Sequence, residues 1–344
     1  MSGCDLVLAL SGGAGLGLGH VMRGAAIAEA AQGRGLAVRV ALWGDACAAE
    51  ALRAELPGVA QAPWRSARDL LGAPWVAFDT RREIALDLAA VRRAGGRSLV
   101  LDRLGYEDAA DLSVLPALHA PPREHPRVLQ GAPWLVLSSA LRALAGPVPE
   151  PPGRRLLVSL GGADPLGLTG LLAAPLSRGL ARWPGPPPEV HAVLGPGFRQ
   201  RARLGARLAR AGWRVHEAPS RRELLALARG SLGAVLGFGT SVYDLAFLGV
   251  PMLYLTHHAA DREDAERLAG LGIGALAGEG PTFDAQRFEA ALAGTLGHPG
   301  WRERAARRGR VLLGDGRGAD RILDALQAAA PAAAGRAPAL RGAP

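Results

Sequence analysis

The amino-acid sequence predicts an α/β protein made of two doubly wound domains, and three observations support this prediction. Short apolar runs alternate with helical patterns along most of the 344 residues, as strands and helices do around a parallel sheet. The alternation stops at a proline-rich stretch near the middle of the chain and then restarts. Glycine-rich turns follow three of the apolar runs, at the strand ends where such sheets bind ligands. We therefore expect two Rossmann-like domains that face a cleft.

The first domain is predicted over residues 1–146. Its predicted strands are, in order, Leu6–Leu10, Ala37–Leu42, Trp75–Phe78, Ser98–Asp102 and Trp134–Leu137. The helical patterns between them include Val21–Gln32, Ala48–Glu55 and Arg82–Ala94. Because helical patterns separate the strands, the strands should lie parallel with helices on both faces of the sheet.

The second domain is predicted over residues 154–328. A linker over 147–153 precedes it, with four prolines in seven residues. The predicted strands are Arg155–Leu160, Glu189–Leu194, Trp213–Glu217, Ala234–Leu236 and Pro251–Thr256. The predicted helices are Leu168–Ala181, Arg199–Ala211, Arg221–Ala228, a helix ending at Leu248, and Trp301–Ala328. Residues 329–344 contain Ala, Pro, Gly and Arg with one leucine, so we expect a disordered tail.

Composition excludes several classes of protein. Hydrophobic residues make up 49% of the chain, yet no apolar run approaches the roughly 20 residues of a membrane helix. The net charge is +9, and all 40 basic residues are arginines spread along the chain. This pattern predicts no nucleic-acid partner, although it is compatible with anionic ligands or peripheral contact with a membrane surface. Cys4 and Cys47 are the only cysteines, and no secretory signal is present, so we expect a cytoplasmic protein without disulfides.

The segment Gly17–Arg23 is the first candidate for chemistry. It joins the first predicted strand to the first helical pattern, where glycines permit close approach and a helix N-terminus attracts anions. His20 stands at this helix start, and its imidazole exchanges a proton near neutral pH. Gly17, Gly19 and Arg23 are therefore candidate substrate contacts beside a catalytic His20. The alternative is a glycine turn with an incidental surface histidine.

A second glycine segment, Gly237–Asp244, lies at another predicted transition from strand to helix. Backbone N–H groups at Gly239 and the hydroxyls of Thr240 and Ser241 suit a phosphate or pyrophosphate. Asp244 lies on the first turn of the helix and is a candidate acceptor for a ribose diol. The alternative is an ordinary helix start with a hydroxyl cap and an acidic first turn.

The third segment, Ser159–Pro165, also follows a predicted strand. Gly161 and Gly162 allow a ligand to approach closely, whereas Asp164 is alternatively a helix cap with Pro165 at the first helical position. Asp102, at the end of a first-domain strand, is a further candidate acceptor for a sugar hydroxyl. The chain lacks lysine, a serine elbow and a zinc-ligand pattern, which excludes Walker A and Schiff-base chemistry.

Taken together and in this order, these segments resemble a known family. With the late Asp315–Ala319 segment they are similar to the UDP-sugar hydrolase of pseudaminic acid biosynthesis and its relatives in spore-coat polysaccharide biosynthesis. That group is similar to GT-B glycosyltransferases that bind UDP-N-acetylglucosamine, and the resemblance spans roughly Leu6 to Leu326. The stretch His257–Asp264 departs from the family pattern, and Leu129–Leu141 matches it only loosely. Both lie at the sugar end, so the resemblance implies UDP binding more directly than a particular sugar.

The resemblance implies a GT-B fold in which the second domain holds UDP and the first approaches the sugar. His20 inherits the catalytic role of positioning or deprotonating water at the anomeric carbon. The nucleotide site maps to Gly239, Thr240, Ser241 and Asp244, with Gly161 and Gly162 lining the cleft. No metal or other cofactor is implied. The resulting hypothesis is a UDP-sugar hydrolase of surface-glycan biosynthesis, and the alternatives are a glycosyltransferase, a non-catalytic nucleotide-sugar-binding protein and, last, an NAD-dependent oxidoreductase.

Overall fold

The computed structural model describes residues 3–146 and 153–329. Within these ranges the chain forms two parallel sheets, one of seven strands and one of six, each packed between helices. The predicted linker and the predicted tail lie outside the described residues, apart from Gly153 and Ala329.

The first sheet has the strand order β3-β2-β1-β4-β5-β6-β7, with every neighbouring pair parallel. Its strands are β1 (Leu6–Gly12), β2 (Val38–Gly44), β3 (Ala60–Pro63), β4 (Trp75–Asp79), β5 (Arg97–Leu101), β6 (Leu112–Leu115) and β7 (Val128–Gln130). The helices of this half are α1 (Gly19–Gly33), α2 (Ala46–Glu55), α3 (Ala85–Arg93) and α4 (Ser139–Ala143). Both β1 and β4 are buried along their whole length, as apolar central strands of a doubly wound sheet should be.

The second sheet has the order β10-β9-β8-β11-β12-β13, again all parallel. Its strands are β8 (Arg155–Ser159), β9 (Glu189–Leu194), β10 (Arg214–Glu217), β11 (Gly233–Gly237), β12 (Met252–Thr256) and β13 (Gly274–Glu279). The helices are α5 (Leu168–Ala181), α6 (Arg201–Arg210), α7 (Arg221–Ala228), α8 (Ser241–Phe247), α9 (Arg262–Gly270), α10 (Ala285–Gly294), α11 (Pro299–Leu313) and α12 (Gly318–Ala328). Both sheets therefore have the strand order of a Rossmann fold, which confirms the predicted fold class.

One predicted strand is wrong, and four strands of the structure were not predicted. Residues Trp134–Leu137 do not form a strand, because Ala132–Trp134 is a 3₁₀ turn and Val136 makes an isolated bridge to Arg317. Pro133 in this turn lacks an N–H group for a sheet ladder. The strands β3, β6, β7 and β13 have three to six residues, and such short segments give a weak period signal.

The helical pattern predicted over Trp301–Ala328 is two helices, α11 and α12, separated by a sharp turn. Gly314 and Gly316 adopt positive φ angles of 60° and 66° there, which glycine tolerates. The apolar face of α12 joins the core of the first sheet with Ala319, Ile322, Leu323 and Leu326. The last helix of the predicted second domain thus packs on the first domain.

No helix among the described residues combines the length and apolar character needed to cross a bilayer.

Candidate active site

The first glycine loop ends in an open helix N-terminus. Gly13 and Gly17 pair with each other and close the loop, and α1 begins two residues later at Gly19. Leu18 precedes the helix without a capping side chain, and the first turn of α1 contains no acidic residue. The first N–H groups of α1 therefore point out of the helix and are available to an anion.

His20 is held by a buried carboxylate at the end of the neighbouring strand. Its Nδ1 lies 2.6 Å from Oδ1 of Asp79, the last residue of β4, whose side chain is fully buried. Since a carboxylate accepts hydrogen bonds, Nδ1 carries the proton and Nε2 is left as an acceptor. Among the described residues Nε2 has no hydrogen-bond partner, and the side chain is 15% exposed. This is the geometry of an oriented base.

Arg23, one turn along α1, holds the same carboxylate at two points. Its Nε lies 2.7 Å from Oδ2 of Asp79, and its Nη2 lies 2.7 Å from Oδ1. A third nitrogen, Nη1, lies 2.8 Å from Oδ2 of Asp102. The guanidinium is buried and directed at two carboxylates, so it fixes the orientation of Asp79.

Charges within this cluster compensate one another. Burial alone would raise the pKa of Asp79, but the charges and hydrogen bonds of Arg23 and His20 outweigh burial and lower the pKa to about 2. Burial alone would lower the pKa of Arg23, but Asp102 and Asp79 raise it well above its ordinary value. Both groups are therefore ionised at neutral pH, and Asp79 can stabilise a proton taken up by His20.

Asp102 borders this cluster and is the part of it that reaches solvent. It directly follows β5, its side chain is 37% exposed, and only one carboxylate oxygen contacts Arg23. Its φ angle of 56° lies in the left-handed region, which is uncommon for a residue other than glycine. The second oxygen of Asp102 has no partner among the residues that the structure describes, so it is available to a ligand hydroxyl.

The second-domain glycine loops contact the loop that carries His20. A methyl group added to Gly19 would lie 3.3 Å from the side chain of Thr240, and one added to Gly162 would lie 3.0 Å from Leu18. The three glycine segments identified in the sequence therefore meet in space, although about 140 to 220 residues separate the first from the other two. Glycine at positions 19 and 162 permits this close approach between the two halves.

The loop after β11 is open on one side and supported on the other. Gly239 is exposed, and a Cβ atom added there would meet no atom within 4 Å. Gly237 is packed, since a Cβ atom there would lie 2.6 Å from the His257 ring. Thr240 precedes α8, and its side chain makes no capping hydrogen bond to the helix. The hydroxyl of Thr240 and the exposed backbone of Gly239 are thus placed to contact a ligand, with Ser241 beginning the helix.

Asp244 is buried on α8 and paired with a residue that sequence reasoning missed. Its Oδ2 accepts a hydrogen bond from Nη2 of Arg221 at 2.9 Å, and the charge of Asp244 raises the pKa of Arg221. The first residue of α7 is Arg221, so this pair joins two helices of the second domain. Together with Arg23 and Thr240, the pair lines a space between the two domains.

The loop after β8 has two parts, an open part at Gly161 and a helix-capping part at Asp164. Gly161 has a φ angle of 93°, and a Cβ atom added there would meet no atom within 4 Å. Asp164 is buried and accepts hydrogen bonds from the N–H groups of Leu168 at 2.9 Å and Thr169 at 2.7 Å. Its carboxylate is therefore a helix cap for α5, although the helix begins later than Pro165.

His119 was not singled out by the sequence, yet it links the two domains. The Tyr243 hydroxyl donates to Nδ1 of His119 at 2.7 Å and accepts from the Leu118 N–H at 3.2 Å. Burial lowers the pKa of His119 and raises that of Tyr243, so both are neutral near pH 7. This contact joins the segment after β6 to α8.

Asp79, which joins His20 to Arg23, is the main residue of this cluster that the sequence analysis missed. The signal was present, because Asp79 directly follows the predicted strand Trp75–Phe78, just as Asp102 ends another. Nothing in the sequence alone, however, places that strand beside β1. Among the described residues, no group of three or more His, Cys, Asp or Glu side chains is arranged to hold a metal ion.

Comparison with known proteins supports the fold. No protein-family model and no curated protein matches the sequence. MurG from Acinetobacter baumannii matches with a TM-score of 0.64 and 15% identity, over 94% of this chain and 99% of that chain. UDP-GlcNAc 2-epimerase from Neisseria meningitidis, solved with UDP-GlcNAc bound, has a TM-score of 0.63 and 13% identity, over 94% and 100%. Spinosyn forosaminyltransferase SpnP has a TM-score of 0.61 and 15% identity, over 96% and 100%. The chain has the GT-B architecture.

Proposed function

We propose that this chain is an enzyme that cleaves the anomeric bond of a nucleotide-diphosphate sugar, with His20 as general base. The observation that carries the proposal is the hydrogen bond from His20 Nδ1 to buried Asp79, which leaves Nε2 unpaired at an open helix N-terminus. A general base must be held in one tautomer within reach of the proton that it removes. The contact between Gly19 and Thr240 puts this base next to the second-domain loops.

The proposed step is a displacement at the anomeric carbon. His20 Nε2 takes the proton of a hydroxyl nucleophile. At the same time, the oxygen of that nucleophile bonds to the anomeric carbon. The bond from that carbon to the diphosphate oxygen breaks, and the nucleoside diphosphate leaves with both electrons. Asp79 keeps the imidazole oriented and stabilises the imidazolium that forms, while Arg23 keeps Asp79 ionised and in position.

The second domain is proposed to hold the nucleotide. N–H groups at Gly239 and hydroxyls of Thr240 and Ser241 would bind the diphosphate, with the N-terminus of α1 opposite. Asp244 would accept ribose hydroxyls through the carboxylate oxygen that Arg221 leaves free. We propose UDP as the nucleotide, because the family resemblance implies it and two proteins of similar fold were solved with UDP-GlcNAc or UDP.

The first domain is proposed to contact the sugar. Gly17 and Gly19 allow it close to the backbone, Asp102 offers a free carboxylate oxygen, and Gly161 and Gly162 border the cleft from the other side. Arg23 is predicted from the sequence as a substrate contact. Its guanidinium is buried and pairs with Asp79 and Asp102, which instead supports a role in positioning Asp79.

The proposed nucleophile is water, as the resemblance implies, which gives free sugar and UDP. A second candidate function is transfer to an acceptor hydroxyl, because the same base performs the same proton transfer on either nucleophile.

Calorimetry and product analysis on the full chain test the proposal. UDP, UMP, ADP and a panel of UDP-sugars are titrated into the protein, and each sugar that binds is incubated without an acceptor. We expect UDP to bind more tightly than UMP, because the proposed site contacts both phosphates of a diphosphate. We expect UDP and free sugar to appear in equal amounts.

Three outcomes oppose the proposal or part of it. Binding of a UDP-sugar without any turnover, even with acceptors, indicates a non-catalytic nucleotide-sugar-binding protein. Tighter binding of ADP than UDP overturns the nucleotide assignment. A change in nicotinamide fluorescence when NADH is added, without UDP binding, indicates an oxidoreductase instead.

A further inference from the structure

The second domain contains a histidine and an aspartate that lie close together and that the proposed mechanism does not use. His257 directly follows β12, and its Nε2 atom is fully buried without a hydrogen-bond partner among the described residues. This nitrogen lies 3.6 Å from Oδ1 of Asp164, which is longer than a hydrogen bond. Burying an unpaired polar atom costs free energy, so a buried, unpaired nitrogen beside a carboxylate is a candidate functional group.

Asp164 is held in place and ionised. Its side chain is fully buried, and its two oxygens accept hydrogen bonds from the N–H groups of Leu168 and Thr169. Burial alone would raise the pKa of Asp164, but the adjacent His257 ring and these N–H groups outweigh burial and lower the pKa. Asp164 is therefore a fixed negative charge behind the His257 ring.

The other ring nitrogen of His257 is the one that reaches solvent. The side chain is 13% exposed, and Nδ1, unlike Nε2, is not a buried unpaired atom. The two nitrogens of an imidazole point to opposite sides of the ring, so Nδ1 faces away from Asp164. When the ring carries both protons, Nδ1–H is a donor directed toward solvent, and Nε2–H is a donor directed toward Asp164.

The His257 ring contacts both of the second-domain loops that are proposed to border the nucleotide. A Cβ atom added to Gly237, the last residue of β11, would lie 2.6 Å from Cε1 of His257. Asp164 belongs to the loop after β8, which also contains Gly161. Gly161 and Gly239 border open space on these same two loops. The strands β8, β11 and β12 are neighbours and parallel, so His257 lies at the sheet edge where both loops begin.

These two loops carry no positive side chain of their own. Neither Ser159–Pro165 nor Gly237–Asp244 contains an arginine or a histidine. Arg23 and Arg221 line the space between the domains, but each is already paired with aspartate. Backbone N–H groups and hydroxyls alone would therefore face a diphosphate, and His257 is the side chain at these loops that can add a positive charge.

We infer that His257 binds the diphosphate of the nucleotide as an imidazolium, with Nδ1–H donating to a phosphate oxygen and Nε2–H directed at Asp164. This inference rests on the proposed function and adds a cationic contact to its nucleotide site. One proton passes from solvent to the ring when the diphosphate binds. That proton stays on His257 while the anomeric bond breaks, and the leaving oxygen keeps both electrons of that bond.

Proton uptake on UDP binding is the first test, and it needs no turnover. The full chain is titrated with UDP at pH 7.5 in HEPES and in Tris, whose ionisation enthalpies differ, and the difference in binding enthalpy gives the number of protons exchanged. At this pH a terminal phosphate, with a pKa of about 6, has already lost its proton. Asp164 is the acidic group that faces the ring, and it is ionised already. We expect uptake of roughly 0.5 to 1 proton per UDP.

Variants assign this proton to His257. His257→Gln should abolish the uptake and raise the Kd for UDP about tenfold, as loss of a hydrogen bond to a charged group does. The Kd for uridine, which has no phosphate, should stay within about twofold. His258→Gln, at the exposed neighbouring histidine, is the matched control and should change neither quantity. His20→Ala should keep the uptake, which separates this ring from the proposed base.

The outcomes separate this inference from the proposed function. UDP binding without proton uptake, or uptake that persists in His257→Gln, overturns the inference and leaves the proposed function intact. Equal losses of UDP and uridine affinity would show that the ring only supports the loops, which also overturns it. Failure of UDP to bind the wild type overturns both. If His257→Gln does not fold, His257→Arg replaces it: a permanent cation should bind UDP within about threefold of the wild-type Kd and without proton uptake. Uptake in that variant would contradict the inference.

Discussion

The first domain brings charged side chains to the cleft, whereas the second domain brings mainly glycines, hydroxyls and backbone N–H groups. His20, Asp79, Arg23 and Asp102 form one connected network, in which Asp79 alone accepts three hydrogen bonds. In the second domain, Gly161 and Gly239 border open space, and Thr240 uses no side-chain bond to cap its helix.

This difference predicts two kinds of sensitivity to substitution. In a buried network each charge depends on its partners, so a change at one residue affects both chemistry and stability. An open glycine loop carries little folding energy, so a change there should affect ligand binding alone. Substitutions in the two domains should therefore have different consequences.

The first prediction concerns the base. His20→Ala should lower kcat for UDP-sugar cleavage by roughly 10²- to 10⁴-fold, because that is the usual contribution of a general base. The dissociation constant for UDP should stay within about twofold, since the second domain holds the nucleotide in our proposal. Steady-state kinetics and calorimetry measure the two effects separately.

His125 provides the control for this prediction. It also faces an aspartate, Asp108, at 3.3 Å, but Asp108 is fully exposed and the pair lies away from β1 and β4. His125→Ala should leave kcat unchanged. If His20→Ala retained wild-type activity, the assignment of the base would be wrong.

The second prediction concerns the carboxylate behind the base. Asp79→Asn should lower kcat by about 10²-fold, because an amide no longer fixes the His20 tautomer or stabilises the imidazolium. It should also lower the free energy of unfolding by about 3 kcal/mol, since Arg23 stays buried with one carboxylate fewer. The exposed counterpart, Asp108→Asn, should do neither.

The free energy of unfolding at acidic pH is a further test of the role of Asp79. Its folded pKa of about 2 lies below the unfolded value near 3.9, so it stabilises the fold above about pH 4. That contribution is lost as the pH falls from about 4 toward 2. The variant should show a shallower loss of stability in this window, as measured by urea unfolding at successive pH values. An unchanged slope would show that Asp79 is not held by Arg23 as described.

The third prediction concerns the second-domain loop. Gly239→Ala should weaken UDP binding about tenfold, or 1.4 kcal/mol, because a methyl group would enter the space proposed for the diphosphate. Nothing within 4 Å opposes the new Cβ, so the melting temperature should stay nearly constant. Gly33→Ala, another open glycine at the end of α1, is the control and should not affect UDP binding. Unchanged UDP affinity in Gly239→Ala would show that the nucleotide does not bind at this loop.

The same contrast explains what the sequence could and could not predict. Both sheets and the three glycine segments were predictable, because strand periodicity and glycine at strand ends are local signals. The position of His20 in the first turn of α1 was also predictable, and its catalytic role stays a prediction. Asp79 was not, because its role depends on β4 lying beside β1, and that neighbour relation arises only from the whole sheet.

Contacts between the two domains could not be predicted from the sequence either. His119 looks incidental in the chain, yet Tyr243 of the other domain binds it. The packing of α12 against the first domain depends on Ile322 and Leu326, which read simply as an amphipathic helix. Such contacts join residues more than 100 positions apart, and no local pattern records them.

The last and smallest predicted effect concerns titration in the second domain, away from the cleft. His191 on β9 and His216 on β10 contact each other at 3.0 Å, and burial followed by the charge of Arg155 lowers the pKa of both. Arg214 adds to this lowering, while Glu189 opposes it at His191 and Glu223 at His216. Because the folded pKa values lie below the unfolded value near 6.5, the folded state binds fewer protons. Stability is complete above about pH 6.5 and falls as the pH drops below it.

The histidine pair of the second domain and Asp79 of the first should therefore lose their contributions to stability in different pH windows, the pair below about pH 6.5 and Asp79 below about pH 4. Thermal unfolding at pH 8, 6 and 5 should show a melting temperature that falls by a few degrees in the wild type. The double variant His191→Gln, His216→Gln should remove most of this fall, because neither glutamine titrates, while His125→Gln leaves the pair in place and serves as the control. If the double variant kept the wild-type pH dependence, the histidine pair would not be what makes the second domain acid-sensitive. The histidine pair and Asp79 would then not give the two domains different pH dependences of stability.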